Sequence, residues 1–211
     1  VSGEELRIRQ TTAADSVSLL KGKPGVSLMS NGGFSTLPVL RGMADDRVLT
    51  TIDGAAITSF CPNHMNPAGS YAMAGRVTSI TATPTLSSVS AGGDNIAGVI
   101  AIETAQPQFV DAGEGVKISG RVNAGYRSVA DAWTSDVTAT VAGEKATLTY
   151  DAAYAHAENY KRGDGDRVRS TTYENYEQAI TLGLRADRGD LLTVKVGNTF
   201  SPYEGFPTQP M

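Results

Sequence analysis

The residues best equipped for chemistry in this 211-residue chain stand together in Cys61-Pro62-Asn63-His64-Met65. A thiolate at Cys61 and a thioether at Met65 are soft, polarisable donors, and soft sulfur prefers Cu(I) to hard cations. Pro62 and Pro67 restrict the backbone of this C-x-x-x-M loop and remove two competing N–H donors, so both sulfurs could face one centre. His64 is either a third ligand or a polar loop residue, and a lone histidine more often has the structural role. Cys61 has a second reading as a small buried hydrophobe. Two sulfurs are too few for a tight site, so the remaining ligands would have to come from elsewhere. Met29, Met43 and Met73 have no second soft donor at short spacing and read as apolar packing residues.

Other chemistries find little support. Cys61 is the only cysteine and His64 and His156 are the only histidines, which excludes a disulfide framework and a multi-cysteine zinc site. Gly163-Asp164-Gly165-Asp166 lacks the closing Glu of a calcium loop. Gly113-Glu114-Gly115 leads into a strand rather than a helix, which fails the dinucleotide pattern. There is no G-x-S-x-G, and neither histidine has the context of a nucleophilic triad, so an enzyme is not expected. The 18 basic and 22 acidic residues leave a net charge of −4, without the basic footprint of a nucleic-acid binder. No apolar run approaches the roughly 18 residues of a membrane helix. A membrane β-barrel stays open, because its strands alternate and look like ordinary amphipathic sequence. No signal peptide is visible ahead of Val1, so a leader was removed or the chain is a fragment.

The elements that must position the sulfur loop divide the chain near residues 105–115. Only Phe34, Phe60 and Tyr71 are aromatic before Ala105, whereas Trp133 and seven of the eight tyrosines come after it. The first half is rich in Gly, Ser, Thr and Pro, with short strands expected at 39–40, 47–52, 77–80 and 96–102. A helix is expected over Thr12–Leu20, with Asp15 near its start and Gly22 and Pro24 stopping it.

The second half keeps a period of two over unusual lengths. Val116, Ile118, Gly120, Val122, Ala124 and Tyr126 alternate with polar residues, and the pattern returns at 137–141, 146–154, 176–184 and 192–196. Five successive strands are expected, joined by tight links at 142–144 and 187–190 and by a long polar loop at 159–172. Alternating short and long links, with Trp133 and the tyrosines toward the loop ends, suit an outer-membrane barrel. A soluble β-sandwich alternates too, and strand pattern alone does not separate the two.

Leu19-Leu20 with Pro24-Gly25-Val26, then Val39-Leu40-Arg41-Gly42, Asp53-Gly54, and Gly92-Gly93 with Ile96-Ala97-Gly98-Val99-Ile100 resemble the plug domain of TonB-dependent outer-membrane receptors. Within that family the Cys61–Pro67 segment is similar to the signature of the copper-receptor subgroup, as is Tyr203-Glu204-Gly205-Phe206-Pro207 after the fifth strand. Two stretches depart from the usual plug pattern, Ile80-Thr81-Ala82 and the Ala72-Met73-Ala74-Gly75 segment, and both bear on plug–barrel contacts.

The resemblance implies an α+β plug globule over residues 1–108, followed over 109–211 by the first antiparallel strands of an incomplete transmembrane β-barrel. Five strands cannot close around a plug, so the chain reads as an N-terminal fragment. It implies a transporter of the Gram-negative outer membrane that takes up copper, with Cys61 and Met65 as ligands on the plug and His64 as a lesser candidate. The subgroup's further ligands come from an H-x-M pair on the barrel, whereas His156 here is followed by Ala157 and Glu158. The implied partners are outer-membrane lipid, the copper ion and the TonB energy-coupling complex, although no TonB box is recognisable before Thr11. A receptor for a metal chelate such as a siderophore, and a soluble periplasmic copper-binding module, are the alternatives.

Overall fold

Strict alternation in the second half produces five long strands: β7 (Lys117–Arg127), β8 (Ala132–Ala142), β9 (Ala146–Ala157), β10 (Tyr173–Arg185) and β11 (Leu191–Glu204). The computed structural model describes residues 1–207 except 31, 60, 62, 63, 86–90 and 94. The five strands form one antiparallel meander in which each pairs with its sequence neighbours. The links at 143–145 and 186–190 therefore lie at one end, and those at 128–131 and 158–172 at the other. β11 outruns its expectation and already contains Tyr203 and Glu204.

The two faces of this sheet are inverted relative to a soluble protein. Val122 is 75% exposed and Ile180 51%, and Leu148, Leu182 and Val194 share their face. Asp151, at 1%, Glu177, Thr149 and Thr181 are buried on the other face, against the first half of the chain. A water-soluble sandwich would bury the apolar face, because removal of apolar surface from water drives its folding. Apolar outside and polar inside is the wall of a membrane barrel, with the outer face meeting lipid. Toward the long-loop end the outer face carries an aromatic band. Tyr126 packs on Trp133, and Tyr154 on Tyr176, with ring centroids 4.8 Å apart in both pairs. Rings with an apolar body and a polar tip favour that interfacial depth.

The first half forms a globule against the inner face. A four-stranded sheet runs in the order β4 (Ala55–Ile57), β3 (Val48–Ile52), β6 (Gly98–Thr104) and β5 (Val77–Pro84), with β3 and β6 parallel. A separate hairpin joins β1 (Val26–Ser30) to β2 (Thr36–Leu40). Leu19, Leu20, Leu40, Val77, Ile80, Ile100 and Ile102 form the core. Ile80 is fully buried there, whereas Thr81, the centre of the first departure from the plug pattern, is exposed.

The expected helix over Thr12–Leu20 does not form. The one α-helix among the described residues is α1 (Gly3–Gln10), and only a single 3₁₀ turn forms at Val17–Leu20. Asp15 explains the difference. Its carboxylate accepts the Ser18 N–H at 2.8 Å, which caps only the short 3₁₀ turn, and the Thr36 hydroxyl at 2.7 Å, which binds the segment to β2. α1 instead carries Glu4 and Glu5 in its first turn and Arg7 and Arg9 in its last, matching the helix dipole at both ends.

Globule and wall meet at two levels. Near the long-loop end, Phe34 and Met73 enter a patch of small residues on the wall, Ala132, Ala153, Ala155 and Ala157, closed by Tyr173. A Cβ on Gly33 would come within 2.5 Å of the Tyr173 ring, so the β1–β2 link needs glycine for this approach. The Ser35 hydroxyl donates to Glu204, which brings the Tyr203–Pro207 segment against the hairpin.

Deeper in, Arg76 reaches across to Asp151 and Glu177, whose carboxylates accept from its guanidinium. Glu177 also accepts the Met73 N–H at 2.6 Å. Arg121 completes the contact by donating to the Gly75 carbonyl at 3.0 Å while standing 3.5 Å from Asp136. The Ala72–Gly75 departure is thus the stretch that presses on the wall. A Cβ on Gly75 would lie 2.6 Å from the Asp136 Cβ.

Two outcomes are expected for the full-length protein. Leu182→Arg puts a charge on the lipid face and is expected to cost about 2–4 kcal/mol in refolding into lipid vesicles. A cost within about 0.5 kcal/mol of zero, as at an ordinary surface position, would argue for a water-exposed face. Arg76→Ala leaves two carboxylates buried without their cation, which is expected to cost about 3–5 kcal/mol. Unfolding that stays at the wild-type midpoint would show that the globule is held by other contacts.

Candidate functional site

β3 turns at Asp53-Gly54 into β4, and β4 runs directly into the sulfur loop of residues 58–67. The loop returns through a 3₁₀ turn at Ala68–Tyr71 toward Arg76. Its end is fixed by Ser70, whose N–H and hydroxyl both reach the Pro67 carbonyl at 2.8 Å. The Ser16 hydroxyl holds the Gly69 carbonyl at 2.7 Å.

Cys61 is a free, half-buried thiol. The His64 N–H donates to the Cys61 carbonyl at 2.9 Å. His64 takes φ +51° to do so, a left-handed conformation that is uncommon outside glycine. Its Nε2 stands 3.7 Å from the Asp45 carboxylate, so the imidazole leans toward the 3₁₀ turn at Asp45–Arg47 that precedes β3. Met65 is half-buried in the same loop. Pro62 and Asn63 of the motif lie outside the described residues. The other methionines are dispersed, with Met43 on the globule core, Met73 against the wall and Met29 exposed on β1. Among the described residues no group of three or more His, Cys, Asp and Glu converges as a metal cage. A metal held here would rest on the sulfurs and on ligands from elsewhere in the full-length protein.

The strand turn that launches the loop is tied to the wall. The Asp53 carboxylate accepts the Thr104 N–H at 2.8 Å, the Thr104 hydroxyl at 2.7 Å and Lys195 Nζ of β11 at 2.6 Å. Burial acts to raise the Asp53 pKa, but the hydrogen bonds from Lys195 and Thr104 outweigh it and hold the carboxyl below its ordinary value. The sulfur loop is therefore flanked in sequence by two ionic contacts with the wall, Asp53–Lys195 before it and the Arg76 cluster after it. Sequence reasoning noted Asp53-Gly54 only as a motif and missed Arg76, Asp151, Glu177 and Lys195. A signal was present, since each carboxylate or amine occupies an inward position of a strand whose other face is apolar.

A depressed carboxylate stabilises the folded state fully above its unfolded pKa, and that contribution is lost as pH falls through the folded value. Asp53→Asn should lower the thermal midpoint of the full-length receptor at neutral pH, and the gap from wild type should close in strong acid. A gap that is constant with pH would show that Lys195 does not depend on the Asp53 charge.

Comparison with known proteins agrees with this geometry. Residues 1–99 match the family model described as TonB-dependent Receptor Plug Domain. No curated protein matches the chain in sequence. Among solved structures, the copper transporter OprC superposes with a TM-score of 0.80 at 24% identity, over 92% of this chain and 29% of that one. The FrpB iron transporter from Neisseria meningitidis gives 0.77 at 18% identity, over 95% of this chain and 31% of that one. The siderophore receptor PirA from Acinetobacter baumannii gives 0.68 at 17% identity, over 98% and 32%. The chain thus spans about a third of the length of these structures. Residues 1–99 thus form a TonB-dependent receptor plug domain, and with the inside-out sheet wrapped against it the chain has the fold of the plug and first wall strands of such outer-membrane receptors.

Proposed function

We propose that this chain is the plug and first wall strands of a receptor that imports copper, with the plug over residues 1–108 and the barrel from 109 onward. The observation that carries the reading is the sulfur loop. The chain's one cysteine and a methionine four residues on share a tethered loop, and that loop lies in the chain between two of the ionic contacts that join the plug to the wall. Soft sulfur donors select copper over the hard cations abundant outside the cell. That a copper transporter superposes over 92% of the chain supports the same reading.

Cys61 and Met65 would capture the ion, and ligands from the rest of the barrel would complete its shell. His64, turned toward Asp45, serves the loop rather than the metal. Release inward would require the plug to shift against the wall, driven by the TonB complex, and the contacts at Asp53 and Arg76 are those such a shift has to break. The rival is a receptor for a metal chelate, supported by the iron and siderophore receptors that share the fold. In that case Cys61 would be incidental.

Replacement of Cys61 by Ser in the full-length receptor separates the two. A hydroxyl is neither ionised nor soft at neutral pH, so Cu(I) binding should be abolished, whereas Met65→Leu should weaken it and His64→Ala should change it little. Wild-type copper stoichiometry and affinity in Cys61→Ser would remove the copper assignment and favour the chelate receptor.

A further inference from the structure

Beyond the two sulfurs, we infer that Ser59 is the positioning residue that sets the geometry of the copper loop, an inference that rests on the copper reading above. Its hydroxyl lies 3.0 Å from the Cys61 carbonyl and 2.9 Å from the Asn66 carbonyl. These two carbonyls flank the segment that carries both sulfurs. One hydroxyl shared between them draws the loop's arms together beside Cys61 and Met65.

The rest of the loop is built around this tie. The His64 N–H is spent on the Cys61 carbonyl, and the imidazole leans on Asp45. Ser59 and His64 therefore grip the same Cys61 carbonyl from two directions, and the backbone at Cys61 is held before any ion arrives. Two flexible sulfur side chains can close on one centre only if their backbones are fixed at a suitable separation. Preorganisation of this kind raises affinity by reducing the ordering that binding would otherwise require. Asp45, Ser59, His64 and Pro67 line one open cleft of about 370 Å³ between the loop and the start of β3. Ser59 thus acts through backbone atoms and is not itself a ligand.

The test compares Ser59→Thr with Ser59→Val in the full-length receptor, using Cu(I) supplied from a chromogenic competing chelator. Thr and Val have the same shape and differ by the hydroxyl alone, so any disturbance from the added branch is common to both. Thr is expected to bind Cu(I) within about threefold of wild type, and Val about tenfold to a hundredfold more weakly, the range seen when groups that orient metal ligands are removed. The thermal midpoints of the two metal-free variants should agree. Equal Cu(I) affinity in Thr and Val overturns the assignment of Ser59. Cys61→Ser, run in parallel, separates the two levels. If it loses copper while Thr and Val bind alike, only the role of Ser59 falls, and if it binds as wild type does, the copper reading falls and takes the role of Ser59 with it.

Discussion

The ion cluster of Arg76 with Asp151 and Glu177 is the contact on which the rest of this structure depends. A membrane wall must show its apolar face to lipid, so the face left for the plug is polar, and a large shared hydrophobic core between the two is not available. A buried ion pair contributes little net stability over an apolar contact, yet loss of one partner is costly. Such a contact specifies position more than it supplies adhesion. It also differs from an apolar contact in that charges released from each other can be taken up by water entering the gap.

The other contacts elaborate that constraint. At the long-loop end a small apolar seat of alanines receives Phe34 and Met73, and Gly33 permits the approach to Tyr173. Toward the short-turn end, Lys195 of the last strand holds Asp53 at the tip of the β3–β4 turn. The sulfur loop lies between these ionic contacts in the chain, so a change in its shape has a short covalent path to both. The sulfur loop and the plug's ionic attachment to the wall share one continuous stretch from Asp53 to Arg76.

The loop itself combines strain with support. His64 and Asp45, which face each other across the cleft, both have positive φ. Backbone in this region persists where neighbouring contacts fix it, and it concentrates at functional sites. Here the support comes from Ser59, the His64 N–H and the Ser70–Pro67 turn rather than from regular secondary structure.

Much of this was determined by the sequence alone. Period-two alternation set the five wall strands, because a strand at an interface must send alternate residues to opposite media. The Gly-punctuated motifs marked the plug, while the soft-metal reading of Cys61 and Met65 stays a proposal from residue type and spacing. The helix was misplaced, since Asp15 in sequence resembles a helix-start residue, and only Thr36, 21 positions away, reveals its other partner. Which face of the sheet looks inward was equally undecided, because alternation is the same in a sandwich and a barrel wall. The tertiary structure decided it by placing the globule against the polar face. Arg76, Asp151, Glu177, Lys195 and Ser59 gain their roles only there. Their partners are distant in sequence or are backbone carbonyls, and neither the spacing nor the type of a side chain records what the fold will bring beside it.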